Sequence, residues 1–183
     1  MNKLNQPFML SDFKSNWKKF LIWGIFLVIG GIFAITFSGF TTLMTIILLG
    51  AVLVFGGAVI IIDTLQFWRR KKGFALHLTM GALYLITGLL LLTSPILGSI
   101  SLTLLLALLF ILLGSLRIYY ALGLRSPGWN WNLLSGIITL LLGILILAEW
   151  PASGLVIIGL FVGIDLLILG WSYIMLALYA KDI

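Results

Sequence analysis

A chain of 183 residues with five carboxylate side chains, one histidine and no cysteine has few groups with which to do chemistry. Asp165 is the most informative of them. It lies 14 residues after Pro151, inside the apolar run GLFVGIDLLILGW. A carboxylate at the centre of a spanning helix costs roughly 2.5–3.5 kcal/mol on an insertion scale. About fifteen Leu, Ile, Val and Phe side chains on the same helix, at roughly 0.3–0.6 kcal/mol each, offset that cost. Hydrocarbon disfavours the charged form, so the expectation is a buried, protonatable carboxyl. Such a group binds a proton or an ion, or it bonds to a hydroxyl or carbonyl of a neighbouring helix. Glu149 stands beside Trp150-Pro151 at the far end of the fifth apolar run. It is the second candidate for a titrating carboxyl, and the plainer reading is a solvated helix end. Asp63 and Arg117 fall near the same ends of the second and fourth runs, about one turn apart in depth. They suit an intramembrane or interfacial ion pair, or each reaches the interface alone. Arg117 and Asp165 differ in depth by eight residues, about 12 Å, which makes their pairing less favoured than that of Arg117 with Asp63.

Catalysis has no visible carrier. His77 is the only histidine and there is no cysteine, so the usual nitrogen and sulfur metal ligands cannot cluster. There is no H-E-x-x-H, no P-loop, no G-x-S-x-G and no dinucleotide fingerprint. An aspartyl dyad of Asp63 with Asp165 would join groups at different depths. The expectation is therefore no enzyme, no catalytic residue, no metal and no cofactor.

The elements that position these residues are set by composition. Hydrophobic residues make up 62% of the chain and charged residues 9%. A soluble domain is nearer half apolar and a quarter charged. Too little polar surface is left to cover a soluble particle, which disfavours a soluble enzyme or a disordered chain and points to a multi-pass membrane protein. The net charge of +6 would raise nucleic acid as a partner in a soluble protein. Here the basic residues flank long apolar runs, so nucleic acid is set aside. Six runs have spanning length: 17–38, 41–65, 74–94, 97–122, 130–150 and 152–179. The breaks carry turn residues at Ser38-Gly39, Arg69–Gly73, Ser94-Pro95, Ser126-Pro127-Gly128 and Trp150-Pro151.

All eleven Lys and Arg fall on or near the side of the N-terminus, the second and fourth loops and the C-terminus: Lys3, Lys14, Lys18, Lys19, Arg69, Arg70, Lys71, Lys72, Arg117, Arg125 and Lys181. The positive-inside rule makes that side, with both termini, cytoplasmic. Trp17, Trp23, Trp68, Trp129 and Trp131 would form a belt at this boundary, with Trp150 at the other; Trp171 lies deeper and suits packing. Residues 1–16 form a short basic segment. Phe13, Trp17 and Phe20 share a helical face beside lysines, an amphipathic lead-in suited to an anionic leaflet.

The chain repeats three times, over about 17–65, 74–122 and 130–179, within one membrane domain spanning 1–183. Gly24 and Gly31 align with Gly81 and Gly88, then with Gly136 and Gly143. Gly50 and Gly57 align with Ala107 and Gly114, then with Gly163 and Gly170. Pro95 matches Pro151, while Ser38 stands there in the first copy. Seven residues is about two helical turns, with a drift of only about 20°, so each pair shares a face. Small residues let helices approach closely in lipid, and Gly159 with Gly163 adds a small-x-x-x-small patch. The expected fold is an all-α bundle of six transmembrane helices, built as three parallel helical-hairpin repeats in a pseudo-three-fold arrangement.

Three parallel two-helix copies with G-x6-G pairs, the third reading EWPASGLVIIGLFVGIDLLILGW, resemble the HdeD-type acid-resistance membrane proteins of bacteria. The resemblance runs from about Trp17 to Tyr179, and the stretch Glu149 to Trp171 is its most specific part. The first copy departs from it by lacking the loop proline. The resemblance implies a bacterial inner-membrane protein that contributes to acid or stress resistance, and it brings no catalytic or binding residues. The alternative is a small transporter or channel that uses Asp165 to bind a proton or ion. The expected partner is the lipid bilayer; a homo-oligomer and a membrane-protein partner both stay open.

The charge asymmetry makes a topological prediction. The chain has no cysteine, so single cysteines report sidedness directly. Ser126→Cys should react with an impermeant maleimide only from the cytoplasmic face. Gly39→Cys and Glu149→Cys should react only from the opposite face. The reverse pattern would overturn the orientation.

Overall fold

A computed structural model describes residues 6–66, 73–124 and 128–182, with the side chains of 17–66, 73–123 and 128–180. The basic run 69–72, Trp68, Arg125, Ser126 and Pro127 lie outside the described residues, as do residues 1–5 and the side chain of Phe13. Among the described residues the fold is all-helical. The helices are α1 (Gln6–Thr36), α2 (Ser38–Gln66), α3 (Phe74–Thr93), α4 (Pro95–Leu124), α5 (Trp129–Ala148) and α6 (Ile157–Asp182), with a 3₁₀ turn at Ala152–Leu155. All six are long and apolar enough to cross a membrane.

The boundaries follow local chemistry. The amphipathic lead-in and the first apolar run form one helix, α1. The break between α1 and α2 is the single residue Phe37, whose N–H donates to the Phe33 carbonyl at 2.9 Å. Ser38-Gly39, expected in the connection, instead begins α2. Pro95 occupies the first helical position of α4, where its missing N–H costs nothing. Gly73 and Gly128 precede α3 and α5 with φ of 92° and 86°, a left-handed conformation that favours glycine.

The sixth run does not form one helix from residue 152 as the sequence predicts. Pro151 opens the 3₁₀ turn, and Ser153 and Gly154 hold it against its neighbours. The buried Ser153 hydroxyl donates to the Ile146 carbonyl at 2.8 Å. A Cβ on Gly154 would lie 2.8 Å from the Ile100 Cα, so glycine lets the turn lie flat on α4. The Trp150 indole N–H also donates to the Ile100 carbonyl, at 3.2 Å.

The chain divides into two compact units, Met1–Thr41 with Gly159–Ile183, and Thr42–Ile158. Glycine seams run through both. In the first unit, a Cβ on Gly24 would lie 2.9 Å from the Gly170 carbonyl oxygen, and one on Gly31 2.9 Å from that of Gly163. In the second unit, a Cβ on Gly57 would meet the Gly81 carbonyl oxygen at 2.9 Å, and one on Gly88 would meet that of Gly50 at 2.8 Å. The α4·α5 pair repeats the pattern: a Cβ on Gly143 would lie 2.9 Å from the Ala107 carbonyl oxygen, and one on Gly114 2.6 Å from the Leu140 nitrogen. In every seam these are backbone atoms, which cannot rotate away.

Each seam has two further members that the glycine count misses. Thr64, Ala121 and Ala177 follow Gly57, Gly114 and Gly170 by seven residues, and all three are buried. Ala34, Leu91 and Ile146 follow Gly31, Gly88 and Gly143 by three residues, and they too are buried. The outer faces are apolar and open: Phe26, Leu48, Phe55, Leu90, Leu97 and Leu145 are each more than 60% exposed. Such a surface suits hydrocarbon and not water. Trp171 is 59% exposed, so it does not pack into a seam as its depth suggested.

Two predictions follow from the packing. Gly114→Ala must push α5 away and should cost about 1–3 kcal/mol of stability. Gly30→Ala and Gly56→Ala meet nothing within 4 Å and should change it by less than about 0.5 kcal/mol. Thr103 Oγ1, on α4, is buried with no hydrogen-bond partner. Thr103→Val should therefore raise stability by about 1 kcal/mol. Thermal unfolding of the purified protein in detergent measures all four; equal losses at Gly114 and Gly56 would refute the seam account.

Candidate functional site

The two charged residues deepest in the spans are placed differently. Arg117 lies on α4, seven residues before its end at Leu124, so about 10 Å inside it. The α4·α5 seam brings Ser135 and Thr139 level with it. A Cβ on Gly136 would lie 3.0 Å from the Arg117 Cβ, so this glycine admits the base of the arginine side chain. The guanidinium then turns toward α5. Arg117 Nη1 donates to Ser135 Oγ at 2.8 Å and to Thr139 Oγ1 at 3.3 Å. Thr139 Oγ1 in turn donates to the Ser135 carbonyl at 2.8 Å.

This differs from the expected Asp63–Arg117 pair. Arg117 is bonded to two neutral hydroxyls and to no carboxylate among the described residues. Asp63, near the end of α2, is half-buried and has an interaction of its own. The reason is geometric: the seam offers Arg117 two hydroxyls one turn apart on the helix it already touches. Ser135 and Thr139 went unnoticed because isolated hydroxyls in an apolar helix carry no motif. The signal that finds them is the antiparallel pairing of Gly114 with the stretch from Gly136 to Leu140.

A cation at spanning depth without a carboxylate is expensive, about 2.5–3.5 kcal/mol at a helix centre on an insertion scale. Two hydrogen bonds from a charged donor, at roughly 1.5–3 kcal/mol each, offset much of it. The side chain nevertheless remains exposed, and its Nε and Nη2 make no hydrogen bond with any described residue.

Asp165 is not buried. It lies two residues after Gly163, about 200° around α6 from the seam. It is exposed, and it makes no hydrogen bond or ion pair with a described residue. The expectation of a carboxyl facing the packed interior is thus not what the chain itself provides. Ser172 and Tyr179, seven and fourteen residues further along, lie on the same exposed face. Their counterparts by repeat alignment are mostly apolar: Val52, Val59 and Gln66 on α2, Leu109, Leu116 and Gly123 on α4. The polar stripe is therefore peculiar to the third copy.

The remaining candidates are peripheral. Glu149 caps α5 in an exposed position, and its carbonyl accepts the Ser153 N–H at 3.1 Å. His77 lies 3.1 Å, through Nδ1, from the Gly73 carbonyl oxygen at the start of α3. Among the described residues no three His, Cys, Asp or Glu side chains gather where they could hold a metal ion. In the first unit, Lys19, Phe20, Trp23, Leu27 and Tyr173 line an open groove of about 540 Å³, where the Phe20 and Tyr173 rings stack at 6.4 Å.

Comparison with known proteins gives one family. Its model, described as a short repeat of unknown function (DUF308), matches residues 22–93 and again residues 79–148. The two matches begin 57 residues apart, which is the internal period of the chain. The first covers α1 from Ile22 through α3, and the second most of α3 through α5, so each contains one complete seam of unit Thr42–Ile158. No curated protein and no solved structure matches the chain. HdeD-like membrane proteins belong to this same family. With most of its length matched, the chain is a member of the DUF308 short-repeat family.

Proposed function

We propose that this chain is a non-enzymatic, multi-pass protein of the bacterial inner membrane that contributes to acid and stress resistance. In this reading it keeps both termini in the cytoplasm and arranges three parallel hairpins with pseudo-three-fold symmetry. The observation that carries the proposal is the repeated glycine seam. Three helix pairs meet at backbone contact through the same small residues, Gly24 and Gly31 with Gly170 and Gly163, Gly50 and Gly57 with Gly88 and Gly81, Ala107 and Gly114 with Gly143 and Gly136. Backbone contact leaves little room for water along a seam, which suits a protein that limits leakage or supports a membrane partner. The scarcity of titratable groups within the spans fits the same role. The acid link itself is supported by the resemblance to HdeD-type proteins and by the family they share.

One observation favours a second reading, a small transporter or channel. A structural Asp165 should be bonded to a hydroxyl or carbonyl, and Asp165 has no such partner among the described residues. An exposed, unpartnered carboxyl at mid-helix suits a proton- or ion-binding role.

Cytoplasmic pH and survival after a shift to strong external acid test both readings. Cells lacking the protein should acidify faster and survive less well, and wild type should restore both. Rescue by Asp165→Asn at normal membrane levels would support the packing role. Failure to rescue, together with a proton flux in proteoliposomes that the variant loses, would support transport. No effect of the deletion on internal pH or survival would overturn the acid-resistance proposal.

A further inference from the structure

The geometry points to Arg117, Ser135 and Thr139 forming a binding site for the phosphate of an anionic phospholipid, on the leaflet nearer the α4–α5 connection. The inference starts from which nitrogen is used. Nη1 makes both hydrogen bonds to the hydroxyls, at 2.8 and 3.3 Å. This ties one corner of the guanidinium to two points a helical turn apart and fixes its plane. The opposite edge, formed by Nε–H and Nη2–H, makes no bond with a described residue and is exposed. Those two parallel donors are the fork that grips an oxyanion through two of its oxygens at once.

Ser135 supplies a third donor. Its Oγ accepts from Arg117, and its own hydroxyl hydrogen has no acceptor among the described residues. Thr139 cannot do the same, because its hydroxyl hydrogen is given to the Ser135 carbonyl. The site thus offers three donors and one full positive charge, with no carboxylate bonded to it among the described residues.

Its location selects the lipid. The groups lie on the exposed flank of two helices of spanning length, where the neighbouring molecules are lipids. Trp131, one turn before Ser135 on α5, is 76% exposed and stands between the site and the end of the helix. An indole at this position belongs at headgroup level. Basic pockets between spanning helices characteristically hold anionic headgroups. The repeat makes the same point by contrast. The counterparts of Arg117 are Ile60 and Tyr173, and those of Ser135 are Met80 and Trp23, so the other two seams have no such cluster. The site is a property of the α4·α5 seam alone. It does not depend on the acid-resistance proposal.

The test uses the purified full-length chain in detergent and measures the thermal transition against added phosphatidylglycerol, phosphatidylcholine or inorganic phosphate. Wild type should be stabilised by phosphatidylglycerol in preference to phosphatidylcholine, with no effect of inorganic phosphate at equal concentration. Arg117→Gln should raise the phosphatidylglycerol concentration needed for half the effect by roughly tenfold or more. Arg117→Lys keeps the charge but loses the fork and should recover only part of the affinity. Ser135→Ala, which leaves the arginine in place, should show a smaller loss, and it keeps the test decisive should Arg117→Gln fail to fold. Equal phosphatidylglycerol responses in wild type, Arg117→Lys and Ser135→Ala would overturn the site. The same stabilisation by inorganic phosphate alone would overturn the lipid assignment in favour of a free oxyanion.

Discussion

Two helices in hydrocarbon have no hydrophobic reason to associate, because lipid tails are as apolar as leucine. What remains is dispersion, which falls away steeply with distance, and so helix pairing depends on how closely backbones approach. Everything else in this chain is arranged around that constraint. At each seam the side chain is removed where the helices touch, and the neighbouring carbonyl oxygen or amide nitrogen fills the space. Seven-residue spacing keeps the small residues on one face over several turns, since seven residues depart from two full turns by only about 20°. The continuation of each stripe to Thr64, Ala121 and Ala177 extends contact through the length of the second helix in each copy.

The pairing is also directional. Each seam joins the first helix of one copy to the second helix of a different copy: α3 to α2, α5 to α4, and α1 to α6. A single hairpin thus carries two halves of seams and completes neither. This is the physical reason a lone copy would be a poor unit of folding, as in other repeat architectures where each element buries its contact face on a neighbour. It also explains why the matched family segments span three helices rather than two. Helices α1 to α3 contain the α2·α3 seam whole, and helices α3 to α5 contain the α4·α5 seam whole.

Much of this architecture was legible in the residues. Six apolar runs gave six helices, and glycine spacing identified the faces that meet. The errors have local causes. The last span began late because Ser153 and Gly154 carry a 3₁₀ turn that only the contact with Ile100 and Ile146 explains. The pairing of Asp63 with Arg117 rested on opposite charge and similar depth, whereas Arg117 Nη1 donates to two hydroxyls on the adjoining helix. Asp165 is the more instructive case. The general tendency of intramembrane carboxylates to face inward suggested burial. The helical wheel already said otherwise, because a residue two positions after a seam glycine points about 200° away from the seam. Once the seam is known, rotation about the helix axis is fixed, and it outweighs the tendency.

Charge and packing are therefore carried by different positions of the same repeat. The seam positions hold small residues in all three copies, with Ala107 the one departure from glycine among the aligned pairs. The flanking positions do not. Arg117 stands where the other copies have Ile60 and Tyr173, and Asp165 stands where they have Val52 and Leu109. Asp165 stands clear of its seam, and Arg117 fits beside its own because Gly136 leaves room for the base of its side chain. A fold of this kind keeps three equivalent joints and gives individual copies separate chemistry, one a cation held by hydroxyls and another an open carboxyl. Asp165 points away from its seam, while the Arg117 guanidinium turns to the hydroxyls of α5 and leaves its outer edge exposed. Arg117 meets much of its insertion cost with its own two hydrogen bonds, whereas Asp165 has no such partner among the described residues, so the third copy carries its charge at the greater cost.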